Sequence, residues 1–169
     1  SGFYDKVIDL KNCYLQEEPA NKIRLQINEF AKKNKLSYYD IRSHQGLLRN
    51  LLIRITSIGE IMVLIQFGEN DKKNIDFIMT YINKIFPEIS SLLYIINTKL
   101  NDSIFDQKVI RYSGNDYIIE KIDTLKFKIG AKTFFQTNSK QTEILYQKVK
   151  ELAKFKKDDI IYDLYTGTG

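Results

Sequence analysis

The chain has 169 residues, of which 43% are hydrophobic and 12% aromatic. That is enough apolar surface for a packed core and too much for an intrinsically disordered segment. The length fits one ordinary domain, or one domain with the beginning of another. A formal net charge of +5, mostly lysine, suits a nucleic-acid partner and equally a solvated lysine-rich surface.

No apolar run reaches the length of a membrane span, and Ser1-Gly2-Phe3-Tyr4-Asp5 lacks the basic-then-apolar layout of a signal peptide. One cysteine, Cys13, excludes an internal disulfide and is the usage expected of a cytoplasmic protein. The opening Ser, in place of Met, reads as an excised segment.

In chain order, Phe3 to Leu10 has the composition of a strand. After Pro19 a helical face repeats at Ile23, Ile27, Phe30 and Ala31. A turn at Ser43-His44-Gln45-Gly46 leads to two strands, Leu48–Thr56 and Glu60–Phe67, joined tightly through Ser57-Ile58-Gly59. A second helix sets Ile75, Ile78, Met79 and Ile82 on one face and ends before Pro87. Another strand covers Leu92–Asn97. The order strand, helix, strand, strand, helix, strand is that of a ferredoxin-like βαββαβ sandwich in the α+β class.

Its helix-bearing face uses Ile61, Val63, Ile65 and Phe67, but Met62 and Leu64 make the opposite face apolar as well. That second face needs a cover. The expected cover is an antiparallel meander of Val109–Tyr112, Tyr117–Ile122 and Leu125–Ile129, turning at Ser113-Gly114-Asn115-Asp116. Next come Thr133-Phe134-Phe135-Gln136-Thr137 and a helix capped by Asn138, with Gln141 three residues on and an apolar stripe at Leu145, Val149 and Leu152. The run Asp159-Ile160-Ile161-Tyr162 then reads as a strand entering an acidic residue, Asp163, and a Gly167-x-Gly169 turn. This is how a Rossmann-like sheet begins a nucleotide-type pocket, where small residues admit close backbone approach. The spacing divides the chain near Gly130 into a central α+β domain (1–130) and the truncated start of a Rossmann-like domain (131–169).

Phe134-Phe135-Gln136-Thr137-Asn138, Leu145-Tyr146 and Asp163-Leu164-Tyr165-x-Gly167-x-Gly169 together closely resemble the RNA uracil-5-methyltransferase family. Looser likenesses lie in Cys13-x-Leu15-Gln16, Tyr39-Asp40 and Gly46-x-Leu48-Arg49, with Arg54 at the end of the following strand. Thr166 stands where many members carry Cys. Members of the family methylate C5 of a uridine in tRNA or 23S ribosomal RNA with S-adenosylmethionine. The resemblance implies a methyltransferase acting on RNA, with 23S rRNA favoured over tRNA and no obligate protein partner.

It implies cofactor contacts for Gln136, Asp163, Tyr165, Gly167 and Gly169, and places no catalytic residue in this chain. The family's nucleophilic cysteine and its base fall beyond Gly169, and an RNA-binding barrel precedes the central domain in many members. The chain alone is therefore expected to be inactive and not to bind S-adenosylmethionine saturably. Asp159–Gly169 is expected to be poorly ordered or packed non-natively, because a parallel strand without its sheet leaves backbone groups unpaired.

Several residues carry a bland reading beside the functional one. Asp163 can be only a cap, and Phe134 and Phe135 only core. Lys126, Lys128 and Lys132, with Phe135, can meet RNA, or the lysines can line a solvated strand face. Arg49 and Arg54, five positions apart on a strand, face opposite ways. His44 reads as a loop residue without a partner carboxylate. Cys13 fits the fourth cysteine of a [4Fe–4S] cluster found in some members, but one thiol cannot assemble a four-cysteine cluster. The competing readings are a stand-alone RNA-binding α+β module, or a different Rossmann methyltransferase or dinucleotide oxidoreductase.

Overall fold

The computed structural model describes residues 8–165 and 167. The central strand is β2 (Ile61–Phe67), and every one of its residues is buried. It pairs antiparallel with β1 (Leu48–Ile55) on one side and parallel with β3 (Ser91–Ile96) on the other. The β1–β2 pair is a hairpin closed by Gly59, whose φ is +85°. The parallel pair instead needs a long crossover, which α2 (Lys72–Ile85) supplies.

Apolar periodicity decides which side of the sheet each helix covers. From α1 (Ala20–Lys33) come Ile23, Ile27 and Ala31, and from α2 come Ile75, Ile78, Met79 and Ile82. Both sets meet Ile61, Val63, Ile65 and Phe67 in one core cluster. Phe30 stacks on Tyr81 across the seam between the helices, with ring centroids 3.8 Å apart. At the N-terminus of α2, Asp71 accepts a hydrogen bond from the Asn74 amide at 3.2 Å, a side-chain cap for an otherwise orphaned N–H.

The mixed α/β composition follows the sequence reading, but the ferredoxin-like order does not form. In that order the first strand lies between the two parallel strands, whereas here β2 and β3 pair directly. Of the expected strand 3–10, residues 8–10 have no regular structure, and the remainder lies outside the described residues. The meander is divided too. β4 (Ile110–Gly114) pairs antiparallel with β3, giving the sheet order β1-β2-β3-β4. An open β3 edge would leave a row of unpaired backbone groups, and β4 satisfies them. Gly114 ends that strand at φ +71°, so close to the neighbouring chain that a Cβ would stand 2.1 Å from the Ser90 carbonyl oxygen.

The remaining two strands, β5 (Tyr117–Ile122) and β6 (Leu125–Gly130), form a separate hairpin. This hairpin is the cover that the second face requires. Ile118 and Ile129 pack against Met62, Leu64, Leu93 and Ile95. β6 is followed by α3 (Ser139–Ala153), whose only described buried residue is Thr142. The stripe Leu145, Val149 and Leu152 forms as a helix face but remains exposed. No described helix is long and apolar enough to cross a membrane.

Core and stripe should respond differently to truncation in this chain. Ile78→Ala is expected to cost about 2–5 kcal/mol in urea unfolding, whereas Leu152→Ala, at 80% exposed, should stay within about 0.5 kcal/mol. Equal losses would contradict the assignment of the core.

Candidate functional site

The segment Ala131–Asn138 is irregular backbone held at both ends by side chains from the sheet and the hairpin. At its start, Arg54 on β1 donates from Nη1 to the Thr133 carbonyl at 2.8 Å and to the Gly130 carbonyl at 3.3 Å. Thr133 closes the same turn, its Oγ1 accepting from the Gly130 amide at 3.1 Å. Burial lowers the Arg54 pKa from its ordinary value, yet a guanidinium stays protonated, so these are charge-assisted bonds.

At the far end stands Glu120 of β5, only 2% exposed. Its carboxylate accepts from the Ser57 amide at 3.1 and 3.2 Å, from the Ser57 hydroxyl, and from the Lys121 amide at 2.8 Å. Its Oε2 accepts from the Ser139 hydroxyl, at the first residue of α3, at 2.6 Å. A buried carboxylate is costly unless its lone pairs are filled, and here donors from three segments fill them. Glu60 adds a further link, accepting the Ile119 amide at 2.6 Å. Asn138 caps α3 by accepting from the Gln141 amide at 3.0 Å.

Between these braces the side chains divide. Phe135 packs on the second core cluster and lies 5.7 Å, centroid to centroid, from Phe127. Phe134 is 74% exposed. Gln136 is exposed, and no hydrogen bond to its amide is formed among the described residues. A donor-and-acceptor group is thus held outward on a short, doubly anchored loop.

The lysines also separate. Lys132 donates its ammonium to the Phe105 and Gln107 carbonyls, so it ties down a loop. Lys126 and Lys128 are exposed on the outer face of the hairpin. The arginines are likewise committed. Arg49, its side chain 3% exposed, bonds Asp102 and the Asn97 and Lys99 carbonyls and lies over the Tyr39 ring. His44 sits in a loop with its Nδ1 3.0 Å from the Tyr39 hydroxyl.

The tail does not form the strand that its composition alone suggests. Residues 159–163 form no strand, because no neighbouring strand among the described residues pairs with them. Asp163 turns its carboxylate to the Tyr165 amide at 3.0 Å. Tyr165 is 95% exposed, Gly167 has φ +61°, and Gly169 lies outside the described residues. No described hydrogen bond joins this tail to Gln136. Two clefts, of about 460 and 450 Å³, lie elsewhere, one along α1 and β1 and the other between Phe30 and α2.

Cys13 is half-buried in a loop fixed to α1, its amide donating to Asn21 Oδ1 at 3.0 Å and its carbonyl accepting from Asn21 Nδ2 at 3.2 Å. Among the described residues no group of three or more His, Cys, Asp or Glu is arranged to hold a metal ion. Sequence reasoning missed Glu120. Its signal was an acidic residue on the face otherwise formed by Ile118 and Ile122.

No family model matches the chain. It is 45% identical over 170 residues to an uncharacterized RNA methyltransferase of Porphyromonas gingivalis, covering 99% of this chain and 37% of that protein. A second such protein, from Bacteroides thetaiotaomicron, is 40% identical over 171 residues, covering 99% and 38%. Both relatives are matched over nearly the whole of this chain, which spans well under half of their own length.

A solved structure shares the fold. The crystal structure of Pyrococcus abyssi tRNA (uracil-54, C5)-methyltransferase in complex with S-adenosyl-L-homocysteine superimposes with a TM-score of 0.72 at 25% identity, over 88% of this chain and 36% of that one. This agrees with the uracil-5-methyltransferase resemblance of the Phe-Phe-Gln and Gly-x-Gly motifs.

The braces carry a measurable load. Glu120→Gln removes the charge and one acceptor oxygen, leaving donors of Ser57 or Ser139 without their partner. It is expected to destabilise this chain by about 1–3 kcal/mol in urea unfolding, with faster hydrogen exchange at the Ser57 amide. Unchanged stability and exchange would contradict the brace.

Proposed function

We propose that this chain contributes to an S-adenosylmethionine-dependent RNA methyltransferase that forms 5-methyluridine. In this reading residues 1–130 are its central domain and 131–169 begin its Rossmann-like catalytic domain. The observation that carries the reading is Gln136, an outward amide with no partner among the described residues, on a loop anchored at both ends by Arg54 and Glu120.

S-adenosylmethionine, when bound, supplies the methyl group. The chemistry of the residues present fits that ligand: an amide able to donate and accept, a carboxylate at Asp163 suited to an ammonium group, and glycine-lined backbone at 167. Gln136 orients the ligand or the uracil edge. Asp163, freed from its own Tyr165 amide, takes the amino group. Uracil C5 is a poor nucleophile, so the reaction calls for a thiolate adding at C6 and a base removing the C5 proton. By resemblance both groups belong to segments other than this one, which leaves the chain alone inactive. The uridine must also leave its stack to be reached.

For the substrate we favour 23S ribosomal RNA, because Cys13-Tyr14-Leu15-Gln16 matches the context of the fourth cluster cysteine in some family members. Transfer RNA is the second reading, favoured by the uracil-54 enzyme that shares the fold. A cytoplasmic location accompanies either RNA.

Methyl transfer from labelled S-adenosylmethionine by the full-length protein tests both points, with 23S and tRNA transcripts as alternative acceptors. Gln136→Ala is expected to lower kcat/KM by about 10- to 150-fold, the scale of a lost hydrogen bond to a charged group. Full activity in that variant, or product other than 5-methyluridine, would overturn the proposal.

A further inference from the structure

We infer that the outer face of the β5–β6 hairpin is a landing strip for the RNA sugar–phosphate backbone, built from Lys121, Lys126 and Lys128. In the antiparallel register Lys121 stands directly opposite Lys126, and Lys128 stands opposite Ile119. Paired residues share a face, and the i, i+2 positions of one strand do as well. All three ammoniums therefore project from the same side, opposite the face on which Ile118, Glu120, Ile122 and Ile129 are buried.

This arrangement is unfavourable for the hairpin itself. Like charges directly across a strand pair destabilise it, and Lys128 lies only two residues from Lys126. All three lysines are exposed, and none forms an ion pair among the described residues. The nearby acids are turned to other tasks or other places. Glu120 faces inward to Ser57 and Ser139, Glu60 holds the Ile119 amide, and Asp123 sits in the hairpin turn. Lys128 is partly fixed, its Nζ lying 4.8 Å from the Tyr117 ring centroid. A polyanion relieves the repulsion, and three lysine positions within about 8 Å of one another across the two strands fit neighbouring backbone phosphates.

Two features make RNA the occupant. The chain is similar over its whole length to RNA methyltransferases, and β6 runs through Gly130 directly into the loop that carries Gln136. The hairpin is tied to that loop by Glu120 and Arg54, so phosphates gripped on its outer face would be held in fixed register with the amide. Lys132, committed to two carbonyls, takes no part. Lys121, on the partner strand, replaces it. The inference rests on the reading of the protein as an RNA enzyme, and it does not depend on uracil-5 chemistry.

The test is fluorescence anisotropy of a labelled uridine-bearing RNA hairpin with the full-length protein, across a salt series and without cofactor. The triple variant K121Q/K126Q/K128Q is expected to flatten the slope of log K against log salt by about 2, from three contacts at roughly 0.7 each. K121Q alone should weaken RNA binding while leaving the thermal midpoint unchanged or raised, since it removes a like-charge pair. A merely structural lysine would lower that midpoint. An unchanged salt slope in the triple variant, beside a salt-dependent parent, would overturn the landing strip and leave the RNA-enzyme reading intact. A parent protein that fails to bind the RNA would overturn both.

Discussion

A strand that is apolar on both faces cannot be satisfied by one layer of helices. β2 imposes this constraint, with Ile61, Val63, Ile65 and Phe67 facing the helices and Met62 and Leu64 facing away. Burial of such side chains is the dominant favourable term in folding, so α1 and α2 cover one side and something else must cover the other. The β5–β6 hairpin does so through Ile118 and Ile129. Its position over the sheet is what lets Glu120 reach Ser57 on the β1–β2 turn and Ser139 at the head of α3. Core packing on one side thus sets the geometry of the polar braces on the other, and the braces set the loop that holds Gln136 outward.

Much of this was legible locally. The 3.6-residue repeat of Ile75, Ile78, Met79 and Ile82, and the two-residue alternation through β2, each point to one face and one partner layer. The need for a cover on the second face followed from Met62 and Leu64 alone. What was not legible is non-local. β4 resembles a meander strand in sequence, yet it joins β3 because the choice of edge depends on which backbone groups are open, not on its own residues. The tail differs: Asp159–Tyr162 has a strand's composition, and its want of a neighbour to pair with was already expected from the sequence.

Charged side chains were read least well, for a related reason. Lysine and arginine look alike in sequence whether their donors meet phosphate, water or a backbone carbonyl. Lys132, Arg49 and Arg54 spend theirs on carbonyls of loops distant in the chain. Lys126 and Lys128 do not, and the register of the hairpin adds Lys121 to them. Glu120 received no reading from the sequence at all. Its place between Ile118 and Ile122 on the inward face was the clue.

The relatives and the solved neighbour are RNA methyltransferases to which this chain is similar, and its own geometry holds the Gln136 amide exposed on a loop braced at both ends. The most direct measurement is a crystal structure of the full-length protein with S-adenosyl-L-homocysteine. The account requires the Gln136 side-chain amide to lie within hydrogen-bond distance of the ligand, at about 3 Å, with the Arg54 and Glu120 braces intact. A ligand bound elsewhere, with that amide turned into apolar packing, would contradict it.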